Sequence, residues 1–215
     1  MSKESALSFY DVVKRLLDIF ASLFFLIVLS PVYVAAALSI FLQDGGEPIY
    51  VQKRVGEGRK EFNFIKFRSM VKNADAILFS DAAMYKSVRS GTHKIKNDPR
   101  ITKVGKFIRK YSIDELPQFV NVLKGEMSFV GPRALRPDEL LKFEREHPKA
   151  IGYIEDMLSV KPGITGIWQV SGRSKIGFLD RVKMDASYAR TGSILLDLWI
   201  IIRTPLAVLK GEGAE

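Results

Sequence analysis

The chain has 215 residues, no cysteine, two histidines and a formal charge of +9. That length asks for no more than one sizeable core, and the missing thiols exclude disulfide frameworks, thiolate zinc sites and cysteine nucleophiles. With only His93 and His147 present, histidine-rich metal clusters are excluded and a Ser-His-Asp relay has almost nothing to draw on.

Near the N-terminus, residues 19–42 run for 24 positions without a charge. As a helix at ~1.5 Å per residue this stretch is roughly 36 Å long, enough for the ~30 Å hydrocarbon layer of a bilayer. It starts too late and runs too long for a cleaved signal peptide. Ser30 and Pro31 lie at its centre, where proline removes a backbone donor and breaks or bends a helix. Lys14 and Arg15 flank one side, and Lys53, Arg54, Arg59 and Lys60 the other, so the charge rule for orientation does not separate the ends. That symmetry favours a re-entrant hairpin over a single kinked span. The expected organisation is a membrane-embedded segment over residues 1–45 and a second region over 46–215, continuous with it as one functional domain.

Residues 47–70 predict a small β-hairpin around the turn GEGR, and residues 71–85 have helical spacing. Residues 87–99 predict a polar loop. The charge surplus is concentrated here: residues 86–110 hold nine Lys or Arg against the single Asp98. Such a field attracts phosphates, nucleic acid or an anionic membrane surface. No nucleic-acid signature accompanies it, so nucleic acid is not an expected partner.

Directly downstream, the block YSIDELPQ (111–118) carries the adjacent carboxylates Asp114 and Glu115. Ser112 and Glu115 match a capping box, in which Glu115 would bond back to the Ser112 amide. A cap at Ser112 puts Pro117 where a helical bond is lost, whereas a cap at Asp114 does not. Both starts remain open. Basic surroundings are expected to keep both carboxylates ionised at neutral pH, which suits a nucleophile or a hard-cation ligand. Neighbours in sequence do not face each other across a sugar, which argues against a glycosidase pair.

After this, SFVGPR (128–133) predicts a strand and a turn presenting Arg133, with Arg136 close behind. Helices are expected over residues 137–143 and 150–158. The segment KPGITGIWQVSGR (161–173) is glycine-bearing, with Gln169 and Arg173 as candidate ligands, but lacks P-loop or dinucleotide spacing. Residues 194–209 are apolar with Asp197, Arg203 and Pro205 embedded. They suit either an interfacial helix or a core helix ending at Pro205.

Three stretches taken in order, KFRSM (66–70), residues 97–133 with NDPRITKVGKFIRKYSIDELPQFVNVLKGEMSFVGPR, and KPGITGIWQVSGR (161–173), closely resemble the bacterial sugar transferase family. These are the monotopic phosphoglycosyl transferases acting on polyprenyl phosphate. The resemblance covers residues 9–213 and implies a predominantly helical α+β fold, with a re-entrant helix bent at Ser30-Pro31, a small hairpin and interfacial amphipathic helices. It implies transfer of a sugar-1-phosphate from a UDP-sugar to undecaprenyl phosphate with release of UMP, the first membrane step of surface glycan synthesis. By the resemblance Asp114 is the nucleophile that forms a covalent phosphosugar intermediate, Glu115 is its partner, and Mg2+ bridges Asp114 to the diphosphate.

Arg133 matches the phosphate-binding arginine, and Lys66 a basic position of the KFRSM motif that also contains Arg68. Membrane lipids are expected partners, at the cytoplasmic face of the bacterial inner membrane, and a homodimer is compatible with apolar helices at the membrane surface. Larger relatives carry a further membrane bundle and soluble domain, and this chain resembles their catalytic core. Residues 77–96 depart most from the family and receive no role. The rival reading is a non-enzymatic membrane-anchored protein whose basic face binds lipid or an acidic partner, with the acidic pair as a mere cap.

Overall fold

The computed structural model describes residues 8–89, 98–172 and 176–209. Helix α1 (Phe9–Val28) begins at a reciprocal capping box: Ser8 Oγ accepts from the Asp11 amide at 3.3 Å and Asp11 accepts from the Ser8 amide at 3.0 Å. Helix α2 (Ser30–Asp44) follows after Leu29, bent 61° from α1, and ends at the left-handed Gly45. Pro31 lies in the first turn of α2, where its missing N–H breaks no helical bond. The break thus falls where the sequence places it. No single helix among the described residues is long and apolar enough to cross a membrane, and only this bent pair meets the test together.

Strands β1 (Ile49–Val55) and β2 (Glu61–Phe67) pair antiparallel, Ile49 opposite Phe67 and Val55 opposite Glu61. The predicted single helix over 71–85 is instead two, α3 (Ala74–Ser80) and α4 (Ala82–Arg89). Asp81 divides them because its carboxylate accepts the Met84 amide at 2.9 Å and so starts a new helix. The expected loop at 87–99 begins later than predicted, and most of it lies outside the described residues. Helix α5 (Lys103–Lys110) is capped by Thr102 and packs so closely on the preceding chain that a Cβ on Gly105 would sit 1.9 Å from Ser69 O.

A short 3-10 turn, Ile113–Glu115, leads to α6 (Gln118–Lys124), which stops at the left-handed Gly125. The remaining elements are β3 (Ser128–Val130), α7 (Pro137–Glu146), α8 (Ile151–Met157), β4 (Gly163–Thr165), α9 (Ile167–Ser171), α10 (Phe178–Thr191) and α11 (Ile194–Leu209). Strands β3 and β4 pair in parallel, Ser128 with Gly163 and Val130 with Thr165. The result is predominantly helical α+β with two small sheets. Helix α11 continues through Pro205, so the core helix ending there is not what forms. One face of α11 buries Ile200, while Leu195, Ile202 and Leu206 are exposed.

Polar bonds fix α1 to the rest. Lys14 pairs with Asp197 of α11 at 2.7 Å, and Asp197 also accepts from Tyr188 at 2.5 Å. Arg15 donates to Val122 O and Leu123 O at 2.6 and 2.9 Å, satisfying carbonyls at the end of α6. Asp18 accepts the Phe129 amide at 2.8 Å. Specific bonds from Lys14, Arg15 and Asp18 therefore tie α1 to the rest of the described residues.

The β3/β4 junction tolerates no side chain at Gly163, whose Cβ would lie 2.0 Å from the Gly131 nitrogen. Gly163→Ala should destabilise the protein by about 2 kcal/mol or more, because backbone rather than a flexible side chain must move. Thermal unfolding beside the wild type checks this, and an unchanged midpoint would show the junction to be looser than described.

Candidate active site

The acidic pair sits in neither of the two anticipated registers. Ser112 adopts φ +54°, a left-handed conformation unusual for serine, and its side chain makes no cap bond. The 3-10 turn then absorbs Asp114 and Glu115, and Pro117 directly precedes α6, where a missing N–H costs nothing. Glu115 is not a capping glutamate: its own amide donates to Ser112 O at 3.2 Å, so the contact is between backbones. Tyr33 of α2 clamps the turn by donating its hydroxyl to Leu116 O at 2.5 Å. Ile113 anchors it from below, packed against a cluster containing Ala36, Ile40, Phe67 and Ile108.

Charge at this turn corrects one expectation. Burial pushes the Asp114 carboxyl up to about 7, helped by the adjacent Glu115, while Lys66 and Arg109 pull it down without prevailing. Desolvation therefore outweighs the cations at Asp114, which is not simply held ionised as the basic sequence suggested. Lys66, on β2, is itself pushed down by burial, with Asp114 opposing, and its ammonium lies 5.4 Å from the Tyr50 ring centre. Arg109, on the last turn of α5, reaches the field of Asp114 but carries no distinguishing mark among the nine cations of residues 86–110.

A second group of cations surrounds the turn after β3. The Arg133 guanidinium lies 5.7 Å and that of Arg181 4.8 Å from the ring of the buried Trp168. Buried Arg54 donates to Ala134 O at 3.1 Å and Glu139 at 3.3 Å. Its pKa is lowered to about 10, by burial first and then by Arg133, with Glu139 opposing and Arg136 and Glu115 also contributing. Arg136 pairs with Asp138 and Glu139. Asp185 of α10 holds the turn by accepting the Arg133 amide at 3.0 Å; burial raises its carboxyl to about 7. Guanidinium groups this crowded favour an anion among them.

The other predicted residues are placed differently. Arg68 is bound by Asp44 through both terminal nitrogens at 2.6 Å and donates to Glu47 O at 2.8 Å. This engagement makes it a clamp between α2 and β2 rather than a free phosphate ligand. Gln169 lines an apolar cavity of about 210 Å³ whose wall also includes Glu115, Ser112, Phe25, Leu29 and Thr204. Its Nε2 donates to Ile164 O at 3.0 Å, and its Oε1 is buried without a hydrogen-bond partner among the described residues. Arg173 lies outside the described residues.

No group of three or more His, Cys, Asp or Glu side chains able to hold a metal occurs among the described residues. The repulsion of two adjacent carboxylates in a desolvated turn nevertheless fits a hard cation that draws its remaining ligands from phosphate and water, as Mg2+ commonly does.

A half-buried carboxylate pair, convergent cations and an adjoining apolar cavity together suit a phosphate ester beside an apolar group. The chain belongs to the bacterial sugar transferase family, whose model matches residues 9–211. It is 41% identical over 94% of its length to the undecaprenyl-phosphate galactose phosphotransferase of Salmonella typhimurium, covering 41% of that protein. It is 40% identical over 94% to the UDP-galactose-lipid carrier transferase of Erwinia amylovora, again covering 41%. It is 38% identical over 94% to the exopolysaccharide production protein ExoY of Sinorhizobium fredii, covering 87%. The chain thus spans less than half of the first two relatives and most of the third.

Asp185 provides a test through pH. A carboxyl raised in the folded state from about 3.9 to about 7 stabilises the fold below the unfolded value, and that stability is lost as pH rises through 7. Asp185→Asn keeps an oxygen to accept the Arg133 amide but cannot ionise. The variant should gain stability relative to wild type between pH 5 and pH 8, on the order of a few kcal/mol. A stability difference independent of pH, measured by denaturant unfolding, would contradict the assignment.

Proposed function

We propose that this chain is a phosphoglycosyl transferase that moves a sugar-1-phosphate from a UDP-sugar to undecaprenyl phosphate and releases UMP. The observation that carries this reading is Asp114, half-buried in a clamped turn within the field of Lys66 and Arg109. An Asp114 oxygen attacks the phosphorus that bears the sugar. A bond forms from Asp114 to that phosphorus as the bond to the UMP oxygen breaks, and UMP leaves with the electron pair. The phosphosugar then passes from Asp114 to the lipid phosphate, so one displacement becomes two easier ones.

Arg133 holds phosphate oxygens, its turn positioned by Asp185 and by Arg54 through Ala134 O. Lys66 and Arg109 offset the charge around Asp114. Mg2+, held by Asp114 with Glu115 beside it, would supply charge neutralisation on the diphosphate and favour the ionised nucleophile.

The surface of α1, α2 and α11 supports a membrane setting. Phe20, Ile27, Leu42 and Ile202 are 68%, 72%, 79% and 71% exposed, which is costly in water and favourable in lipid. In this reading the bent pair enters the cytoplasmic leaflet and returns, α11 lies in the interface, and soluble UDP-sugar meets the lipid phosphate at headgroup level. Such a reaction begins surface glycan synthesis at the inner membrane.

Purified protein incubated with Mg2+, a panel of UDP-sugars and undecaprenyl phosphate should release UMP, and Asp114→Asn should lower the rate about 10³-fold or more. Release of UDP instead, or full activity in Asp114→Asn, would overturn the proposal.

A further inference from the structure

We infer that the apolar cavity beside Glu115 receives the first isoprenoid units of the lipid acceptor, so that acceptor and donor approach the carboxylate pair from different sides. The inference rests on the transferase reading above and adds where the acceptor binds. Glu115 and Ser112 belong to the cavity wall, whereas Asp114 does not. Much of the remaining wall is drawn from Phe25 and Leu29 at the helix bend, Phe119, Phe129 and the 204–208 end of α11, with Gln169 and Val170 of α9 beside them. Phe25, Leu29 and the 204–208 residues belong to α1, the joint after it and α11, the helices whose outer faces are apolar and exposed, so this side of the cavity adjoins the surface that lipid would cover.

Apolar side chains make up most of the wall, and several of its polar groups are already engaged: Gln169 Nε2 donates to Ile164 O, leaving its Oε1 without a partner among the described residues. Thr165 and Thr204 hydroxyls bond at 2.8 Å, and Thr204 also donates to Ile200 O at 2.8 Å. A uracil, a sugar or a diphosphate placed here would lose hydration without regaining enough hydrogen bonds. The cationic group of Arg54, Arg133 and Arg181 suits the anionic donor far better. Size is also consistent: an apolar cavity of about 150 Å³ accepts benzene, so about 210 Å³ takes one or two five-carbon units.

With the tail seated here, the acceptor's dianionic phosphate lies on the Glu115 side of the pair. One of its oxygens bonds to the phosphorus carried by Asp114 as the bond to the Asp114 oxygen breaks. The aspartate recovers its carboxylate, and the lipid leaves as a diphosphate-linked sugar.

The test separates the two halves of the reaction. Val170→Phe and Ala207→Phe fill the cavity from α9 and α11 respectively. In each, transfer to undecaprenyl phosphate should fall about tenfold or more relative to the UMP burst measured without acceptor, as expected when several buried methylenes are displaced. In the wild type, a polyprenyl phosphate bearing a diazirine on its first isoprene unit should label residues 25–29 or 204–208, located by mass spectrometry. Both variants transferring normally after a normal burst, or labelling confined to the outward Phe20 and Leu42, would overturn the subsite. Absence of any burst in the wild type would instead contradict the transferase chemistry on which the subsite rests.

Discussion

Partial burial of one carboxylate, Asp114, in a turn held on both sides is the constraint on which the rest depends. Desolvation raises its pKa to about 7 against the opposition of Lys66 and Arg109, so the ionised form is held in reserve rather than freely hydrated. A carboxylate solvated by water is a weak nucleophile, whereas one with its cations already placed needs little reorganisation when charge develops on phosphate. The turn is kept in position by Tyr33 above and the Ile113 contacts below. This couples Asp114 mechanically to α2, and therefore to the joint at Leu29.

That joint has a plain origin. Proline cannot donate to the preceding turn, so α1 and α2 stop and restart at a 61° angle, and the break exposes Leu29 to the cavity beside Glu115. Polar bonds from Lys14, Arg15 and Asp18 keep the first limb attached to α11, α6 and β3. The short parallel pair β3/β4 sets the turn that bears Arg133 beside α9, which supplies Trp168 and Gln169. The cationic group and the apolar cavity thus lie on different elements around one carboxylate pair.

Features governed by local chemistry were legible in the sequence. The Ser30-Pro31 break, the hairpin before Phe67 and the stop at Gly125 each follow from a residue's own backbone constraint or from period-two patterning. The acidic pair stood out for the same reason, as adjacent charges of the minority sign. Long-range features were hidden. The pairing of Ser128–Val130 with Gly163–Thr165 involves strands of three residues, too short to alternate, and α10 with Asp185 and Arg181 carries no motif spacing. Ionisation misled because sequence shows how many cations are near but not how much water is excluded, and here exclusion prevails. Arg68 shows the converse: a motif position looked free until Asp44 of the preceding helix was found on it.

The central claim is that Asp114 carries the phosphosugar between donor and acceptor. The most direct measurement omits the acceptor: protein, Mg2+ and UDP-sugar are incubated with isotopically labelled UMP, and label is followed into the UDP-sugar pool. Reversible formation of an enzyme-bound phosphosugar requires that label enter UDP-sugar without any lipid phosphate, and that Asp114→Asn abolish the exchange. An active preparation showing no exchange until undecaprenyl phosphate is added would mean that the sugar phosphate passes directly from donor to lipid, and the covalent role of Asp114 would be wrong.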